Sequence, residues 1–555
     1  MRQCAVEITH GFRKTRTVSE TNLFDVLAAA AERYGDREFL IVGRRDEVAS
    51  FSQLRERADA CGRMLAALGV TPGDRVAIWM TNRVDWVAAA YGVARCGAVT
   101  VGVNTRLSPR EVAHFLLLTR PRVWIVEARF FGRVDACATI APVLAAFAAQ
   151  GVAAPEILVL SDNGERMPGT LDWHEALQTH AAAPALPPAA EMVADMAKGE
   201  YPAYAGAAVI LSTSGTTAAP KGVVLGHAGT IRLARACADR QDLGPDQRFY
   251  SVGPFFHASG YMHAVLTNLV AGSRLYTSRP YTPEEAWDIF SGESINAYHG
   301  SIVPLREVVL LPQFRKDRIA LTRAWFSAPA AEMARLEALW GTRMCEVYGL
   351  TETAGNVSIC RVDDPLDMRH DSDGRPHDGV EVAIVDPQTG QSVPEGTPGE
   401  IRVRGWNVML GYFRDPEATA LAVDAHGWLG TGDQGVRLPG GYVKFLSRLK
   451  DVIRVGGENL SPLEVEEVLI GHPDVQEVAV VSAPHPRLTE VPVAFLILRP
   501  GRSVTTEALD AFARERLANF KVPRRFIIVD DMPRSNAVNR VQKAKLREML
   551  LSGEV

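Results

Sequence analysis

Two hydrophobic patterns alternate along the chain from about residue 22 onward. Apolar residues recur at helical spacing over 24–34 and 54–68, while short apolar runs occur at 75–80 and 98–103 with a helix-like stretch at 86–95 between them. Largely apolar runs of this length are typical of strands buried in a parallel sheet. The strand, helix, strand order therefore predicts a layered α/β fold with right-handed crossovers.

The pattern changes near the C-terminal end. Residues 427–446 are rich in glycine and aromatic side chains, and a short charged segment follows at 447–451. Beyond it lie helix-like signals at 461–470 and 506–517 and strand-like signals at 475–481, 492–498 and 525–529. We therefore expect a large N-terminal domain of several subdomains with mixed or parallel sheets (residues 1–447), a hinge at 448–451, and a small mobile α+β domain at 452–555.

Composition narrows the possible partners and compartments. With a net charge of −5 and 23 % charged residues, the chain has no electrostatic bias toward nucleic acid or an anionic membrane. Its seven cysteines are scattered without CxxC spacing, which favours a reducing compartment over a disulfide framework or a zinc site. No signal-peptide core and no apolar run of about 18 residues is present. We expect a cytoplasmic protein without a membrane span.

A loop at residues 213–222 is the first candidate for chemistry. It follows the strand-like run 207–211, which in turn follows an alanine- and proline-rich stretch at 180–206 that predicts a surface connection. The loop brings hydroxyl groups, glycines and Lys221 together at a strand-to-turn junction, where open α/β sheets bind ligands. Its lysine is followed by glycine, so the P-loop pattern fails, and the composition suits a polyphosphate held in another geometry. A solvated Ser/Thr-rich turn is the alternative.

Together with later segments, this loop resembles the signature of the adenylate-forming superfamily, which includes acyl-CoA synthetases and peptide-synthetase adenylation domains. The family pattern TSGTTGxPKGV stands here as TSGTTAAPKGV over 213–223, and YGLTE at 348–352, WLGTGD at 428–433 and the segments SRLKD at 447–451 and VGGENLSP at 455–462 resemble further family motifs. The GEIRVRG segment at 399–405 and MLGYF at 409–413 resemble motifs to which we assign only a structural role.

The resemblance implies a set of site residues. It implies that Lys221, Glu352, Arg540 and His257 are catalytic, that Glu352 holds Mg²⁺, and that Lys450 is the hinge. The implied nucleotide- and cofactor-binding residues are Thr213, Ser214, Gly215, Thr216, Thr217, Lys221, Ala328, Tyr348, Gly349, Thr351, Asp433, Arg448, Gly456 and Gly457. Among them, the Tyr348 ring would lie against adenine, Asp433 would accept from the ribose hydroxyls, and the glycines at 456 and 457 would line a thiol channel.

Two positions depart from the family pattern. Ala218 stands where relatives have glycine, which matters if that position needs a positive φ. Arg540 aligns with a late lysine that neutralises charge near the attacking carboxylate. Arginine keeps the positive charge but has a different reach and geometry. Three outcomes stay open: Arg540 substitutes, nearby Lys543 substitutes, or adenylation is impaired.

The acyl pocket is expected in the segment PFFHASGYM at 254–262, with Phe256, His257, Gly260 and Tyr261 as pocket residues. Its aromatic and small side chains suit an apolar acid better than an amino acid. Ordinary core packing is an equally good interpretation of the aromatic residues taken singly.

The function implied is an AMP-forming acyl-CoA synthetase for a hydrophobic or aromatic carboxylic acid, using ATP, Mg²⁺ and coenzyme A. An enzyme that passes the acyl group to an amine or a carrier-protein thiol is the alternative. A non-catalytic nucleotide- or acyl-CoA-binding descendant is a third possibility. A homodimer is possible, and no nucleic-acid partner is expected.

Overall fold

In a computed structural model of the chain, the structure describes residues 22–130, 134–198, 200–213, 220–455, 458–534 and 541–555. In this part of the chain an eight-stranded sheet carries the loop singled out above. Its strands, in spatial order, are Gly411–Tyr412, Gly222–Gly226, Ala207–Ser212, Val99–Gly102, Arg75–Trp79, Val123–Glu127, Glu156–Leu160 and Leu171–Asp172. The strands from Ala207–Ser212 to Leu171–Asp172 are parallel, and Gly222–Gly226 and Gly411–Tyr412 extend the sheet by antiparallel pairing.

A second sheet in the described residues has seven strands and is parallel except at its Glu47–Ser50 edge. Its strands, in spatial order, are Arg343–Cys345, Arg323–Trp325, Ala297–His299, Arg248–Tyr250, Arg274–Thr277, Glu38–Val42 and Glu47–Ser50. Arg279 follows one of these strands and donates hydrogen bonds to Thr81 Oγ1 (2.8 Å) and to Glu127 of the first sheet. These contacts fix the two sheets relative to each other.

The main hydrophobic core lies between the two large sheets. Alternate residues of both sheets point into it, such as Val76 and Ile78 from the first and Leu275 and Ala297 from the second. The helix Val84–Arg95 runs through this layer with all its residues buried except the half-buried Asp85. The intervening residues of each sheet face separate clusters on the outer sides. This layering is the physical result of strands that are apolar on both faces.

Helices cover the sheets and connect the parallel strands. The α-helices of the described part are Leu23–Tyr34, Phe51–Ala67, Val84–Arg95, Pro109–Thr119, Ile140–Ala149, Trp173–Thr179, Ala189–Asp195, His227–Arg240, Thr267–Ala271, Pro283–Gly292, Val303–Val308, Ala330–Trp340, Leu366–Asp371, Pro416–Ala422, Pro462–Ile470, Thr506–Arg514 and Lys543–Ser552. The segment Ser259–Leu266 is a π-helix that continues directly into Thr267–Ala271.

Smaller sheets follow in the second half of the chain. One pairs Val347–Tyr348, Ser358–Ile359 and Arg375–Pro376, and another pairs Val380–Val385, Gly399–Gly405, Leu429–Leu438 and Tyr442–Arg448. The last sheet contains Glu458–Leu460, Ile453–Val455, Thr489–Leu498 and Val475–His485, with Arg525–Ile528 beside Thr489–Leu498. Two core clusters belong to this last sheet and its helices, and their buried members lie between Ile453 and Leu550.

The predicted α/β fold with a large N-terminal part and a small α+β C-terminal part is confirmed. The predicted helices and strands occur within a few residues of their expected ends. Most described residues of the stretch 180–206 are exposed, in agreement with the predicted surface connection, but the stretch also contains the helix Ala189–Asp195 and buries Ala189, Met192 and Met196. An alanine-rich segment can form a packed helix or an exposed linker, and composition alone does not distinguish the two.

Cysteines and membrane spans can be stated for the described residues only. The six cysteines in this part of the chain are free, and five of them are buried. Within the same ranges, no helix combines the length and the apolar character needed to cross a membrane.

Candidate active site

The loop at residues 213–222 is closed at its base by backbone pairing. Ser212 lies opposite Gly222 in the antiparallel pair of strands, and the Thr213 amide donates to the Lys221 carbonyl at 3.1 Å. Thr213 and Lys221 are thereby held next to each other at the edge of the sheet. Ser214, Gly215, Thr216, Thr217 and the unusual Ala218 lie outside the described residues.

Tyr412 connects two of the predicted catalytic residues. The Lys221 Nζ atom lies 4.6 Å from the centroid of the Tyr412 ring, and the Tyr412 hydroxyl donates to Glu352 Oε1 at 2.9 Å. Tyr412 reaches this place because its strand, Gly411–Tyr412, pairs with Gly222–Gly226 directly after Lys221. Burial, together with the nearby Glu352, raises the pKa of the Tyr412 phenol, so the hydroxyl stays a hydrogen-bond donor.

The sequence interpretation missed Tyr412, to which it assigned only a structural role. The Gly-Tyr pair at 411–412 does not by itself predict a functional role for the tyrosine. The contacts of Tyr412 depend on the pairing of strand Gly411–Tyr412 with residues 223–224, which the local sequence does not reveal. Its neighbour Gly411 has φ 148°, and a methyl group there would lie 3.0 Å from the Thr419 side chain. The segment therefore serves both packing and the site.

A second cluster joins three predicted nucleotide-binding residues. The Tyr348 hydroxyl donates to Asp433 Oδ2 at 2.8 Å, and Arg448 Nε lies 3.0 Å from Asp433 Oδ1. Asp433 and Arg448 are direct neighbours across the antiparallel strands Leu429–Leu438 and Tyr442–Arg448. Burial, with a further contribution from Asp433, raises the pKa of Tyr348. The Phe445 ring lies parallel to the Tyr348 ring at 5.9 Å.

Ala328, Gly349 and Thr351 contribute backbone geometry. The Ala328 amide donates to both carboxyl oxygens of Glu346, at 3.2 and 3.0 Å. A methyl group on Gly349 would lie 2.4 Å from the Gly355 carbonyl, so only glycine allows this close backbone approach. Thr351 begins the short turn Thr351–Thr353, and its carbonyl accepts from the Ala354 amide.

Behind this backbone lies a pair of buried carboxyl groups that sequence patterns did not reveal. Burial and the neighbouring Asp373 raise the pKa of Glu346 well above its usual range. Burial raises the pKa of Asp373 to about 7, although its carboxylate accepts a hydrogen bond from the Phe445 amide. The two positions are 27 residues apart in sequence, so no spacing rule predicts that one carboxyl group influences the other.

His257 lies in the predicted acyl segment and is neutral. Its Nδ1 atom accepts from the Ser259 amide at 3.2 Å, which places the ring proton on Nε2, and burial lowers its pKa. Gly260 does not face open space: a methyl group there would lie 2.1 Å from the Pro254 carbonyl oxygen. Phe256 and Tyr261 are members of the main core, and the Tyr261 ring meets the Trp86 ring edge-on at 5.0 Å.

The predicted residues of the C-terminal part are only partly described. Lys450 lies in the turn Leu449–Asp451, between the two groups of core clusters. Gly456, Gly457 and Arg540 lie outside the described residues. Arg534 and Val541, which flank 535–540, form an antiparallel bridge. Lys543 Nζ lies 2.6 Å from Glu466 Oε1, so using Lys543 as the catalytic cation would require breaking this ion pair.

The donor set around Lys221 fits a metal-bound polyphosphate. Glu352 is a half-buried carboxylate with one oxygen oriented by Tyr412, and carboxylate oxygens are the ligands Mg²⁺ prefers. Lys221 is exposed, and its ammonium, 4.6 Å from the centroid of the Tyr412 ring, could contact phosphate oxygens. Glu352 would hold Mg²⁺ together with the phosphates, and the metal would neutralise their charge.

Comparison with known proteins shows to which protein family this chain belongs. A family model described as AMP-binding enzyme matches residues 27–413, and one described as AMP-binding enzyme C-terminal domain matches residues 464–537. This chain belongs to the AMP-binding enzyme family. The two matched regions agree with the large and small parts of the fold described above.

Several relatives align with this AMP-binding enzyme over nearly its whole length. A 3-[(3aS,4S,7aS)-7a-methyl-1,5-dioxo-octahydro-1H-inden-4-yl]propanoyl:CoA ligase from Rhodococcus jostii is 33 % identical, over 96 % of this chain and 99 % of the relative. The ATP-bound structure of MatB from Rhodopseudomonas palustris matches with a TM-score of 0.80, 26 % identity and coverage of 95 % and 99 %. The amide bond synthetase McbA from Marinactinospora thermotolerans matches with a TM-score of 0.79, 25 % identity and the same coverage.

Proposed function

We propose that this AMP-binding enzyme is an AMP-forming acyl-CoA ligase that converts a carboxylic acid, ATP and coenzyme A into an acyl-CoA, AMP and pyrophosphate. The observation that carries the proposal is the approach of Lys221 and Glu352 to opposite parts of Tyr412. A cation and a metal-binding carboxylate at one place suit a triphosphate. The likeness to a CoA ligase over almost the whole chain supports the thiol acceptor.

The first half-reaction needs charge neutralisation more than proton transfer. A carboxylate is already ionised at neutral pH and attacks the α-phosphate without a general base. The carboxylate oxygen forms a bond to the α-phosphorus while the bond to the bridging oxygen of pyrophosphate breaks. Lys221 and the loop above it would hold the leaving pyrophosphate, and Arg540 would offset the charge near the attacking acid. Tyr348 and Asp433 would orient the nucleoside.

In the second half-reaction a thiol replaces AMP on the acyl carbon. We propose the domain division 1–447, 448–451 and 452–555, with rotation about Lys450 bringing the small domain and Gly456–Gly457 to the adenylate. Separate core clusters on either side of 448–451 support this division. The Ser461 hydroxyl donates to the Leu446 carbonyl at 2.6 Å, across the proposed hinge. A single hydrogen bond of this kind can break when one domain rotates relative to the other.

Carboxylate-dependent exchange of labelled pyrophosphate into ATP tests the first half-reaction. A panel of alkyl, aryl and cyclic acids should contain at least one acid that supports exchange, and Lys221→Ala should reduce it by about 100-fold because a charge-neutralising group is lost. Absence of exchange with every acid would contradict the proposed function.

Transfer to an amine is the second candidate, because the chain also resembles an amide bond synthetase. AMP release measured with coenzyme A, with simple amines or with a carrier-protein thiol distinguishes the acceptors. We expect coenzyme A to give the fastest turnover. A cytoplasmic location and a homodimer complete the proposal, and sedimentation velocity of the purified chain tests the dimer.

A further inference from the structure

The strand that carries Tyr412 lies at one edge of the eight-stranded sheet and is only two residues long. On its inner side, the Leu410 amide donates to the Val224 carbonyl at 2.9 Å. The Phe413 amide donates to the Gly222 carbonyl at 2.7 Å. The amide and carbonyl of Tyr412 point to the other side, where the sheet has ended. They therefore need hydrogen-bond partners from outside the sheet.

Two side-chain hydroxyls supply these partners. The Tyr412 amide donates to Thr419 Oγ1 at 2.9 Å, and the Tyr204 hydroxyl donates to the Tyr412 carbonyl at 2.8 Å. Thr419 lies only seven residues further along the chain, on the helix Pro416–Ala422. Tyr204 precedes Tyr412 by 208 residues and ends the short turn Pro202–Tyr204. Tyr204 therefore connects the edge strand to a distant part of the chain.

The same hydroxyl also holds the turn after the edge strand. The Arg414 amide donates to the Tyr204 hydroxyl at 3.2 Å. Arg414 has φ 57°, in the left-handed region that residues other than glycine adopt uncommonly. The Tyr204 hydroxyl thus donates its one proton to Tyr412 and accepts a proton from Arg414. Burial raises the pKa of the Tyr204 phenol, so this proton is retained near neutral pH.

The Tyr204 ring is held independently of its hydroxyl. Its centroid lies 5.4 Å from that of the Phe413 ring, and the Tyr201 ring packs on Phe413 at 4.9 Å. The Arg75 guanidinium lies 5.1 Å from the centroid of the Tyr201 ring. Phenylalanine at position 204 would keep this ring packing and remove the two hydrogen bonds. The contribution of the hydroxyl can therefore be measured separately from that of the ring.

The position of the Tyr412 backbone matters for the geometry of Glu352. The Tyr412 phenol donates to Glu352 Oε1 at 2.9 Å, and the nearby Met409 amide donates to the Glu352 carbonyl at 2.8 Å. The segment 409–412 thus contacts both the backbone and the carboxylate of Glu352. Because a hydrogen bond weakens steeply when its angle or length departs from the optimum, a shift of the edge strand would weaken the bond from the phenol.

We propose that Tyr204 is a positioning residue of the ATP site: its hydroxyl fixes the Tyr412 backbone, and thereby directs the Tyr412 phenol at the Glu352 carboxylate. This inference rests on the ligase function proposed above, in which Glu352 would hold Mg²⁺ with the phosphates. Groups that orient a metal-binding carboxylate from behind contribute to metal affinity. Tyr204 acts through Tyr412, so its removal should change metal affinity more than turnover with saturating metal.

Metal binding without turnover provides the first test. Mn²⁺ replaces Mg²⁺ as a paramagnetic probe, and free Mn²⁺ is measured by EPR in the presence of saturating α,β-methylene ATP, which cannot lose pyrophosphate. Tyr204→Phe should raise the Kd for Mn²⁺ about 3-fold, the effect of one weakened hydrogen bond. In pyrophosphate exchange, the Mg²⁺ concentration for half-maximal rate should rise by a similar factor. The rate at saturating Mg²⁺ should stay within about 2-fold of the wild type.

A double-mutant cycle tests whether Tyr204 acts through the Tyr412 phenol. Tyr412→Phe removes the donor to Glu352, so adding Tyr204→Phe should raise the Kd for Mn²⁺ no further. Tyr201→Phe is the matched control. The Tyr201 ring packs on Phe413 as the Tyr204 ring does, but the Tyr201 hydroxyl is hydrogen-bonded to Glu200. This control should leave the Kd for Mn²⁺ unchanged.

The outcomes distinguish this inference from the proposed function. An unchanged Kd in Tyr204→Phe would overturn the inference and would mean that water replaces the hydroxyl. Independent, additive effects of Tyr204→Phe and Tyr412→Phe would also overturn it, as would an equal effect of Tyr201→Phe. In all three cases the ligase function stands as long as the wild type supports exchange. A wild type that binds no Mn²⁺ with the nucleotide and supports no exchange would contradict both proposals.

Discussion

At the scale of single residues, Tyr412 shows how one side chain can join two functional groups. Its ring faces the Lys221 ammonium while its hydroxyl orients the Glu352 carboxylate. A cation near an aromatic face gains about 0.5–1 kcal/mol at an exposed site, and a hydrogen bond to a charged acceptor about 1.5–3 kcal/mol. The hydroxyl is therefore the stronger of the two contributions, and it can be removed without removing the ring.

Tyr412→Phe should reduce kcat/KM for pyrophosphate exchange about 10-fold and raise the Mg²⁺ concentration needed for half-maximal rate, because Glu352 loses its orienting donor. Steady-state exchange at varied Mg²⁺ measures both effects. Tyr281→Phe is a matched control, since the Tyr281 hydroxyl also donates to a glutamate, Glu307, in a different part of the chain. Equal effects of the two variants would contradict the role of Tyr412.

Asp373 is a second residue with a testable effect, in this case on how the free energy of unfolding depends on pH. Its folded-state pKa of about 7 exceeds the ordinary value of 3.8, so between about pH 4 and 7 the folded chain keeps a proton that the unfolded chain has lost. The free energy of unfolding should therefore fall as pH rises through this window. Glu346, whose pKa is also raised, acts in the same direction, while Lys444 opposes and Glu467 and Asp433 reinforce the shift at Asp373.

Asp373→Asn should flatten this pH dependence and stabilise the protein at pH 8 by an amount of the order of a few kcal/mol. Asparagine cannot ionise, yet its oxygen can still accept from the Phe445 amide. Denaturant unfolding at pH 5, 6.5 and 8 measures the slope, and Asp246→Asn, at an exposed site, provides the control. An unchanged slope would show that Asp373 is ionised throughout.

At the scale of elements, the π-helix Ser259–Leu266 positions His257, whose Nδ1 atom accepts a hydrogen bond from the Ser259 amide. Its first turn lies so close to residues 253–254 that a methyl group on Gly260 would meet the Pro254 carbonyl at 2.1 Å. Because the obstacle is backbone, the helix or the preceding turn must move to admit a larger side chain. Gly260 therefore packs closely against this backbone, and its predicted place in the acyl pocket stays a prediction.

Gly260→Ala should destabilise the fold by about 1–3 kcal/mol through overpacking, and it should raise KM for the acid because His257, bound by the Ser259 amide, shifts with the helix. Thermal unfolding and exchange kinetics measure the two effects. Gly292→Ala is the control: Gly292 ends the helix Pro283–Gly292, and a methyl group there meets no atom within 4 Å. It should leave stability unchanged or increase it by about 0.5–1 kcal/mol.

At the scale of the whole molecule, the proposed site combines groups that come from both parts of the fold. Lys221, Glu352 and Tyr412 belong to the large part, whereas Arg540 and Lys543 belong to the small one. In the described conformation Lys543 pairs with Glu466, which also accepts from the Val480 amide. We therefore expect Arg540 to supply the cation for adenylation.

Arg540→Ala should slow adenylate formation about 100-fold while changing thioester formation from added acyl-adenylate much less, because its charge acts only in the first half-reaction. Rapid-quench measurement of each half-reaction checks this. Lys543→Ala should leave adenylation within about 3-fold and mainly reduce stability, since its partner Glu466 loses an ion pair. Equal losses in both half-reactions for Arg540→Ala would exclude the proposed role.

Sequence patterns predicted the structure correctly where that structure depends on residues that are neighbours in the chain. The apolar run at 75–80 predicted a buried strand, and Arg75–Trp79 is buried on both faces between parallel neighbours. The charged segment at 447–451 marked the place where one set of core clusters ends and another begins. The helix Ala189–Asp195 within the mostly exposed stretch 180–206 was not predicted, because an alanine-rich helix and an alanine-rich linker have the same composition.

The sequence by itself determined the family and the α/β layering, because each family motif is a short contiguous string and each buried strand is a short apolar run. Only the tertiary structure decided which side chains meet, such as Tyr412 with Lys221 and Glu352, or Ser259 and His263 with His299, and that Asp373 lies near enough to Glu346 to raise its pKa. These contacts join residues far apart in the chain. Strand pairing and burial create them, and both depend on the whole fold.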